Sequence, residues 1–308
     1  MDVGVVGTGQ MGRNHVRVYS ELKTVSNLFV FDTNQEAAEA VANEHGAIAV
    51  DNLEELFRSV ESASICVPTP YHLQTAVELV NRGIHILLEK PICQTSEQAS
   101  HLLSRISPDV MVGVGHIERF NPIIDEIQKI LADPLYVEFK RHNPTSSRIT
   151  KGSVVEDLMI HDIDIVMNCL FSTEPEICAQ GTADVAATIA RFGNTPVYLS
   201  ASRKSSKKIR MLHIEQEDMT IEGDFMTQEI FVYRKPGRYL VENDRYVQEN
   251  IVEKVQVAKK EPLRTELLTF LQCVKTGMQF PVTPEQGLKN LQLCEMIQQK
   301  MGFSSHGV

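Results

Sequence analysis

The feature that most limits this chain is a glycine spacing within its first dozen residues, Gly7-Thr8-Gly9-Gln10-Met11-Gly12. It follows the short apolar run Val3–Val6 and opens an amphipathic segment that reaches about Leu22. Glycine-rich turns are common, so the spacing alone says little. A strand before it, a helix after it and an acid about twenty residues further on together make the fingerprint of a dinucleotide site. Asp32, at the end of the apolar run Leu28–Phe31, is that acid. Gly7 permits the tight turn, Gly9 lets backbone approach a pyrophosphate, and Gly12 lets the helix lie close to the strand. The N–H groups near Gln10 and Met11 point at the phosphates from the helix N-terminus. A carboxylate at Asp32 would accept hydrogen bonds from the adenosine ribose and repel a phosphate placed there. Thr33-Asn34 supplies no arginine to relieve that repulsion. The expected cofactor is therefore NAD rather than NADP.

Beyond the turn, strand-like and helix-like segments alternate as they do in a parallel α/β sheet. Further strands are expected at Ala47–Val50, Ala63–Val67, His85–Leu88 and Val110–Val114. A helix from about His72 should stop at Gly83, and Thr95 with Gln98 should form a capping box for the next. From Glu176 to Val257 the pattern changes to period two with turns, the mark of a largely antiparallel sheet with one open face. Two amphipathic helices close the chain, the second with Thr283, Pro284 and Gln286 as its start signals. The expected fold is α/β: an N-terminal doubly wound parallel sheet, then an α+β domain with a large, mostly antiparallel open sheet. The expected cut is 1–119 for cofactor binding and 120–308 for substrate binding and self-association. A chain of 308 residues is long enough for two domains.

The charge balance narrows the partners. Lys and Arg total 30 against 40 Asp and Glu, a formal charge of −10. Such a chain is poorly suited to a nucleic acid, although a nucleotide needs only a local basic pocket. The six cysteines are scattered with no C-x-x-C pair, which fits reduced thiols in a cytoplasmic protein better than disulfides or zinc. No membrane span and no basic leader is evident.

At Glu89-Lys90-Pro91 the sequence starts to resemble the glucose–fructose oxidoreductase / inositol dehydrogenase (Gfo/Idh/MocA) family. Further matches are Thr69-Pro70 with His72, Arg119-Phe120-x-Pro122, Asp157-x-x-x-His161-x-x-Asp164, and the tail from Glu261-Pro262-Leu263 through Thr283-Pro284-Glu285-Gln286-Gly287-Leu288. The resemblance implies a two-domain NAD- or NADP-using oxidoreductase that oxidises a secondary alcohol of a sugar or cyclitol. It also implies association through the open sheet, as a homodimer or homotetramer. In one place the chain departs from the common pattern: Val154-Val155 stands where a glycine pair is usual, and Met159 replaces a small residue. The segments Gly115–Pro122 and Asp157–Asp164 resemble the branch acting on nucleotide sugars, at C3 of UDP-N-acetylglucosamine above all. A free sugar, inositol or uronate is the alternative substrate, and a cofactor-binding regulator without turnover the alternative class.

Oxidising an alcohol requires a group that takes the hydroxyl proton and one that stabilises charge on oxygen. Ser153 and Glu156 read as a capping box, so a helix should start near Ser153 and carry Asp157, His161 and Asp164 on one face. A helical His–Asp pair is by itself an ordinary polar contact, and a lysine after a strand an ordinary cap. The whole constellation is what points to catalysis. The resemblance makes His161 the proton acceptor, Asp157 its partner or a ligand to the sugar hydroxyls, and Lys90 the stabiliser of oxygen charge. It adds Thr69, Pro70, His72, Glu89 and Lys90 to the cofactor site. The substrate set is Lys90, Glu118, Arg119, Asn121, Arg148, Asp157 and His161. His161-Asp162-x-Asp164 with His116 lacks a compact ligand motif, so no metal is expected. Lys140, Arg141 and Arg148 could neutralise a diphosphate, whereas the run Arg203–Arg210 reads as a solvated hairpin end.

Overall fold

The computed structural model describes residues 1–144, 152–235, 239–242, 245–248 and 251–303. These form two compact units, Met1–Phe120 with Glu261–Gln292, and Asn121–Lys260 with the chain from Leu293 onward.

The first unit is built on six strands: β1 (Val3–Val6), β2 (Leu28–Phe31), β3 (Ile48–Ala49), β4 (Ser62–Ile65), β5 (His85–Glu89) and β6 (Val112–Gly115). They run parallel in the order β3-β2-β1-β4-β5-β6. The connecting helices are α1 (Gln10–Ser20), α2 (Gln35–His45), α3 (Leu53–Ser59), α4 (His72–Val80) and α5 (Ser96–Leu103). β1 and β2 are apolar throughout, as strands covered by helices on both faces are, while β4 carries the buried serines Ser62 and Ser64. Side-chain oxygens start several helices: Asn34 accepts from the Ala37 amide, Asn52 from Glu55 and Thr95 from Gln98. Each such cap contributes about 1 kcal/mol. The strand order reverses at β1, with β2 on one side and β4 on the other. Loops leaving the carboxyl ends of β1 and β4 therefore diverge and leave a crevice.

The chain then comes back. Helix α8 (Pro262–Thr276) buries Leu263, Leu267, Phe270 and Leu271 in the core of this first unit. The linear cut at 119 is corrected here, since 261–292 belongs with the first unit. The Val114 amide donates to the Val282 carbonyl at 3.0 Å, which closes the otherwise open edge of β6. Gly113 is required at that edge, because a Cβ there would lie 2.5 Å from the Phe280 ring.

In the second unit, α6 (Pro122–Ile130) precedes β7 (Tyr136–His142). A helical run then begins as a π-helical turn, Val155–Met159, becomes α7 (Ile160–Ile165), and ends in a second π turn, Val166–Leu170. The strands after it are β8 (Glu176–Gly181), β9 (Val185–Phe192), β10 (Thr195–Ser202), β11 (Ile209–Glu215), β12 (Met219–Asp224), β13 (Glu229–Arg234), β14 (Tyr239–Glu242), β15 (Arg245–Gln248) and β16 (Ile251–Val255). Seven of them join β7 in one sheet, in the order β16-β13-β12-β11-β7-β10-β9-β8, while among the described residues β14 pairs only with β15. All pairs in the large sheet are antiparallel except β7 with β10. One sheet face is sealed by α6, the 155–170 run and Leu293, Cys294 and Ile297 of α9 (Pro284–Lys300). The alternate residues leave Val185, Ile189 and Tyr233 exposed on the other face.

Candidate active site

The glycine turn has the geometry its spacing demands. Gly7 lies at φ +93°, and a Cβ on Gly12 would stand 1.8 Å from the Gly7 carbonyl oxygen. Neither position accepts a side chain. Gly9 is exposed, has open space where a Cβ would point, and begins α1 with no side-chain cap. An uncapped helix start facing open space is a cradle for a phosphate. Asp32 is fixed beside it. Its Oδ2 accepts from the Thr8 amide at 2.6 Å and the Thr8 hydroxyl at 2.8 Å, and its Oδ1 from the Asn34 amide at 2.9 Å. Burial works to raise this carboxyl, but the Asn34 and Thr8 hydrogen bonds outweigh it and hold Asp32 below the ordinary carboxylate value. Asp32 keeps lone pairs for a ribose, and the residues fit a dinucleotide with an unphosphorylated adenosine ribose. Thr8 was hidden in the sequence as a variable position, though its hydroxyl was the signal available.

Two residues expected at the cofactor, His72 and Glu89, have partners within the protein. His72 is buried, with Nδ1 2.8 Å from the Pro91 carbonyl and Nε2 2.9 Å from the Val67 carbonyl. Burial draws this imidazole below its ordinary pKa, against the pull of both carbonyls. These two bonds tie the loop after β4 to the loop after β5. Glu89 is likewise buried, with Oε1 3.0 Å from His15 Nε2 and Oε2 accepting the Lys90 amide at 3.3 Å. It steadies the backbone from which Lys90 rises. Thr69 and Pro70 open the short 3-10 turn Thr69–Tyr71, with Pro70 exposed. Lys90 itself is half-buried. Arg119 donates to Gln286 Oε1 at 2.9 Å, and Gln286 completes the expected capping box with Thr283. Glu118 is buried in the same unit.

In the second unit, Asp157 and His161 are both half-exposed while Asp162 and Asp164 are buried. Asp164 is the buried member of the expected Asp157, His161 and Asp164 set, and it accepts from Asn168 Nδ2 at 3.0 Å within the helical run. The expected Ser153–Glu156 capping box is absent. Ser153 Oγ accepts from the Val155 amide at 3.2 Å, and Glu156 accepts from Gln298 Nε2 at 2.9 Å. The wider π turn changes which amide faces the serine, and no period reading of sequence anticipates that. Asn121, expected to touch substrate, is buried at the start of α6. It caps α6 through the Ile123 amide at 3.4 Å and donates to the Phe225 carbonyl at 3.0 Å. Arg148 lies outside the described residues.

Two arginines have roles unlike those expected. Arg141, expected near a diphosphate, is 1% exposed and donates to Asp162 Oδ1 from Nε at 2.9 Å and from Nη2 at 2.6 Å. Its guanidinium also faces the Phe225 ring, 5.4 Å from the centroid. The pair pins α7 to β7, one residue past His161. Arg203, read as part of a solvated run, is buried beside Asp157. Among the described residues no group of His, Cys, Asp and Glu is placed to hold a metal ion.

Residues 1–120 match the model of an oxidoreductase family described by its NAD-binding Rossmann fold. The UDP-N-acetylglucosamine 3-dehydrogenase of Acidithiobacillus ferrooxidans is 31% identical over 284 residues, covering 89% of this chain and 88% of that protein. The chain belongs to the Gfo/Idh/MocA oxidoreductase family. A solved structure of that Acidithiobacillus dehydrogenase superposes with a TM-score of 0.87 at 27% identity, covering 97% of each chain. An inositol 2-dehydrogenase of Rhizobium meliloti is 21% identical over 95% of this chain and 94% of its own length. As a member of the Gfo/Idh/MocA family this protein is an oxidoreductase with a Rossmann unit and a mostly antiparallel second sheet. No helix among the described residues is long and apolar enough to cross a membrane.

Proposed function

We propose that this oxidoreductase uses NAD to oxidise a secondary hydroxyl of a sugar to a ketone, and that the sugar is UDP-N-acetylglucosamine, oxidised at C3. The observation that carries the substrate is the 31% identity, over nearly the whole of both chains, to a dehydrogenase named for that reaction. Preference for NAD rests on Asp32, whose charge and fixed orientation oppose a 2′-phosphate.

NAD, when bound, supplies the hydride acceptor. The chain's residues do the rest. His161 takes the hydroxyl proton on a ring nitrogen, and Asp157, four residues earlier, orients that ring and stabilises the imidazolium. The Lys90 ammonium offsets charge developing on the oxygen. His72 and Glu89 hold the loops that carry the cofactor contacts and Lys90.

The uncovered face of the large sheet, with Val185, Ile189, Tyr233 and the Val252 opposite it, is where a second copy packs in a homodimer or homotetramer. Light scattering after size-exclusion chromatography reads this directly, and a monomer at working concentration removes it. The reduced thiols and the cofactor fit a cytoplasmic enzyme.

The test of the reaction is to mix the protein with NAD and a panel of UDP-sugars, free sugars, inositols and uronates, and to follow the absorbance of reduced cofactor. Turnover of UDP-N-acetylglucosamine is expected. Turnover of a free polyol alone replaces the nucleotide-sugar reading with the one that the inositol dehydrogenase likeness favours. Cofactor binding without any turnover makes the protein a regulator.

A further inference from the structure

We propose that Arg203 is a positioning residue for Asp157, and through Asp157 for the base His161; this rests on the catalytic reading of that pair given above. Arg203 opens a run of basic residues after β10, yet it differs from its neighbour. Its side chain is 6% exposed, while that of Lys204 is 55% exposed. A buried guanidinium is costly unless its N–H groups are used, and here Nη2 gathers several acceptors on one spot. Nη2 donates to the carbonyls of Gly152 and Ala183, each at 2.8 Å, and lies 3.1 Å from Asp184 Oδ1. The other Asp184 oxygen is 2.9 Å from Lys204 Nζ, so that carboxylate is held from two sides.

Backbone bonds tighten the same knot. The Arg203 amide donates to the Asp184 carbonyl and the Val154 amide to the Ala183 carbonyl, both at 2.8 Å. One guanidinium thus joins the end of β10, the turn between β8 and β9, and the residue before the catalytic helical run. With Nη2 fastened, Nη1 is held 4.0 Å from Asp157 Oδ2, an ion-pair separation outside hydrogen-bond distance. A cation held there acts on the Asp157 carboxylate through its charge, and through that carboxylate on the ring it is proposed to orient. A lysine offers charge without the fork and cannot serve both purposes.

The experiment is a double-mutant cycle on the full-length protein, with R203Q, D157N and the pair, in steady state with NAD and UDP-N-acetylglucosamine. R203Q should lower kcat by about 10²-fold, as small misplacements of reacting groups do. Its KM for NAD should stay within about twofold, because the cofactor cradle is untouched. R203K should recover only part of the loss. In the D157N background R203Q should cost almost nothing further, which is the mark of action through Asp157. Losses that multiply, or an R203Q enzyme with normal kcat, overturn the inference while leaving the catalytic reading intact. A D157N enzyme with full turnover overturns the role of Asp157 and the inference together. If R203Q does not fold, D184N carries the test, since it loosens the guanidinium and should give a smaller loss that also vanishes in D157N. Crystal structures of the wild type and R203Q give a readout that needs no turnover. The Asp157 carboxylate should shift by about 1 Å, the scale of misplacement that costs catalysis, and an unmoved carboxylate overturns the inference.

Discussion

In the first unit the groups that face a ligand are mostly backbone, and in the second they are side chains. The cofactor cradle is the uncapped start of α1, shaped by Gly7 and Gly12, with a single anionic side chain at Asp32. The candidate catalytic pair lies on a helical run of mixed π and α pitch, anchored by Arg141 to one strand and by Arg203 beyond the end of the strand beside it. A backbone cradle depends on which residues are absent, so it is written locally as a spacing of glycines. A side-chain site depends on partners far apart in sequence, such as Arg141 with Asp162 or Arg203 with Asp157.

That contrast can be broken at four places. The largest effect should follow His161→Ala, which lowers kcat by roughly 10³–10⁴-fold if the imidazole is the proton acceptor. NAD affinity measured by calorimetry should be unchanged, and a mutant that still turns over removes His161 from the chemistry. Gly12→Ala comes next. Its new Cβ has a backbone oxygen 1.8 Å away, so the turn must open, at a cost of about 4 kcal/mol in cofactor binding or in stability of the first unit. Wild-type melting together with wild-type NAD binding would show that the turn is looser than its contacts. Arg141→Ala leaves Asp162 buried without its guanidinium and should destabilise the protein by about 3 kcal/mol in denaturant unfolding. The smallest is Asp32→Asn, expected to narrow the preference for NAD over NADP by about tenfold, or ~1.4 kcal/mol. The same carboxylate has a pH signature. Because it is held below its ordinary value, its stabilisation is complete above pH about 4 and fades as pH falls through the lower folded value. An acid limb of unfolding that is identical in wild type and Asp32→Asn would remove that contribution.

Much of this was legible in the chain. Strand and helix periods, the glycine turn, Asp32 and the Thr283–Gln286 cap all depend on residues within a few turns of one another. The return of 261–292 to the first unit was not, since an amphipathic helix does not say which core its face will meet. Nor was the state of the polar residues around the site. His72, Glu89 and Asn121 look like ligands because they are polar and lie near the motifs. Only the fold brings near the groups they bond: the Val67 and Pro91 carbonyls for His72, His15 for Glu89, and the Phe225 carbonyl for Asn121. Arg203 looked like a solvated charge because its neighbours are. The π turn hid the start of the helical run that carries Asp157 and His161, because a wider pitch leaves the same residue types in the sequence and changes only which amide meets which oxygen.

The late return of the chain also bears on how the protein is made. A ribosome delivers all six strands of the first unit before it delivers α8, Phe280 and Val282. Until those arrive, β6 is a bare edge and the surface that receives Phe270 and Phe280 stays wet. The cofactor turn precedes them in the chain, so it emerges well before its scaffold is finished. While the residues between β6 and Val282 are being made, the nascent protein therefore carries a sticky strand edge, the kind of surface that chaperones hold and that joins one unfinished chain to another.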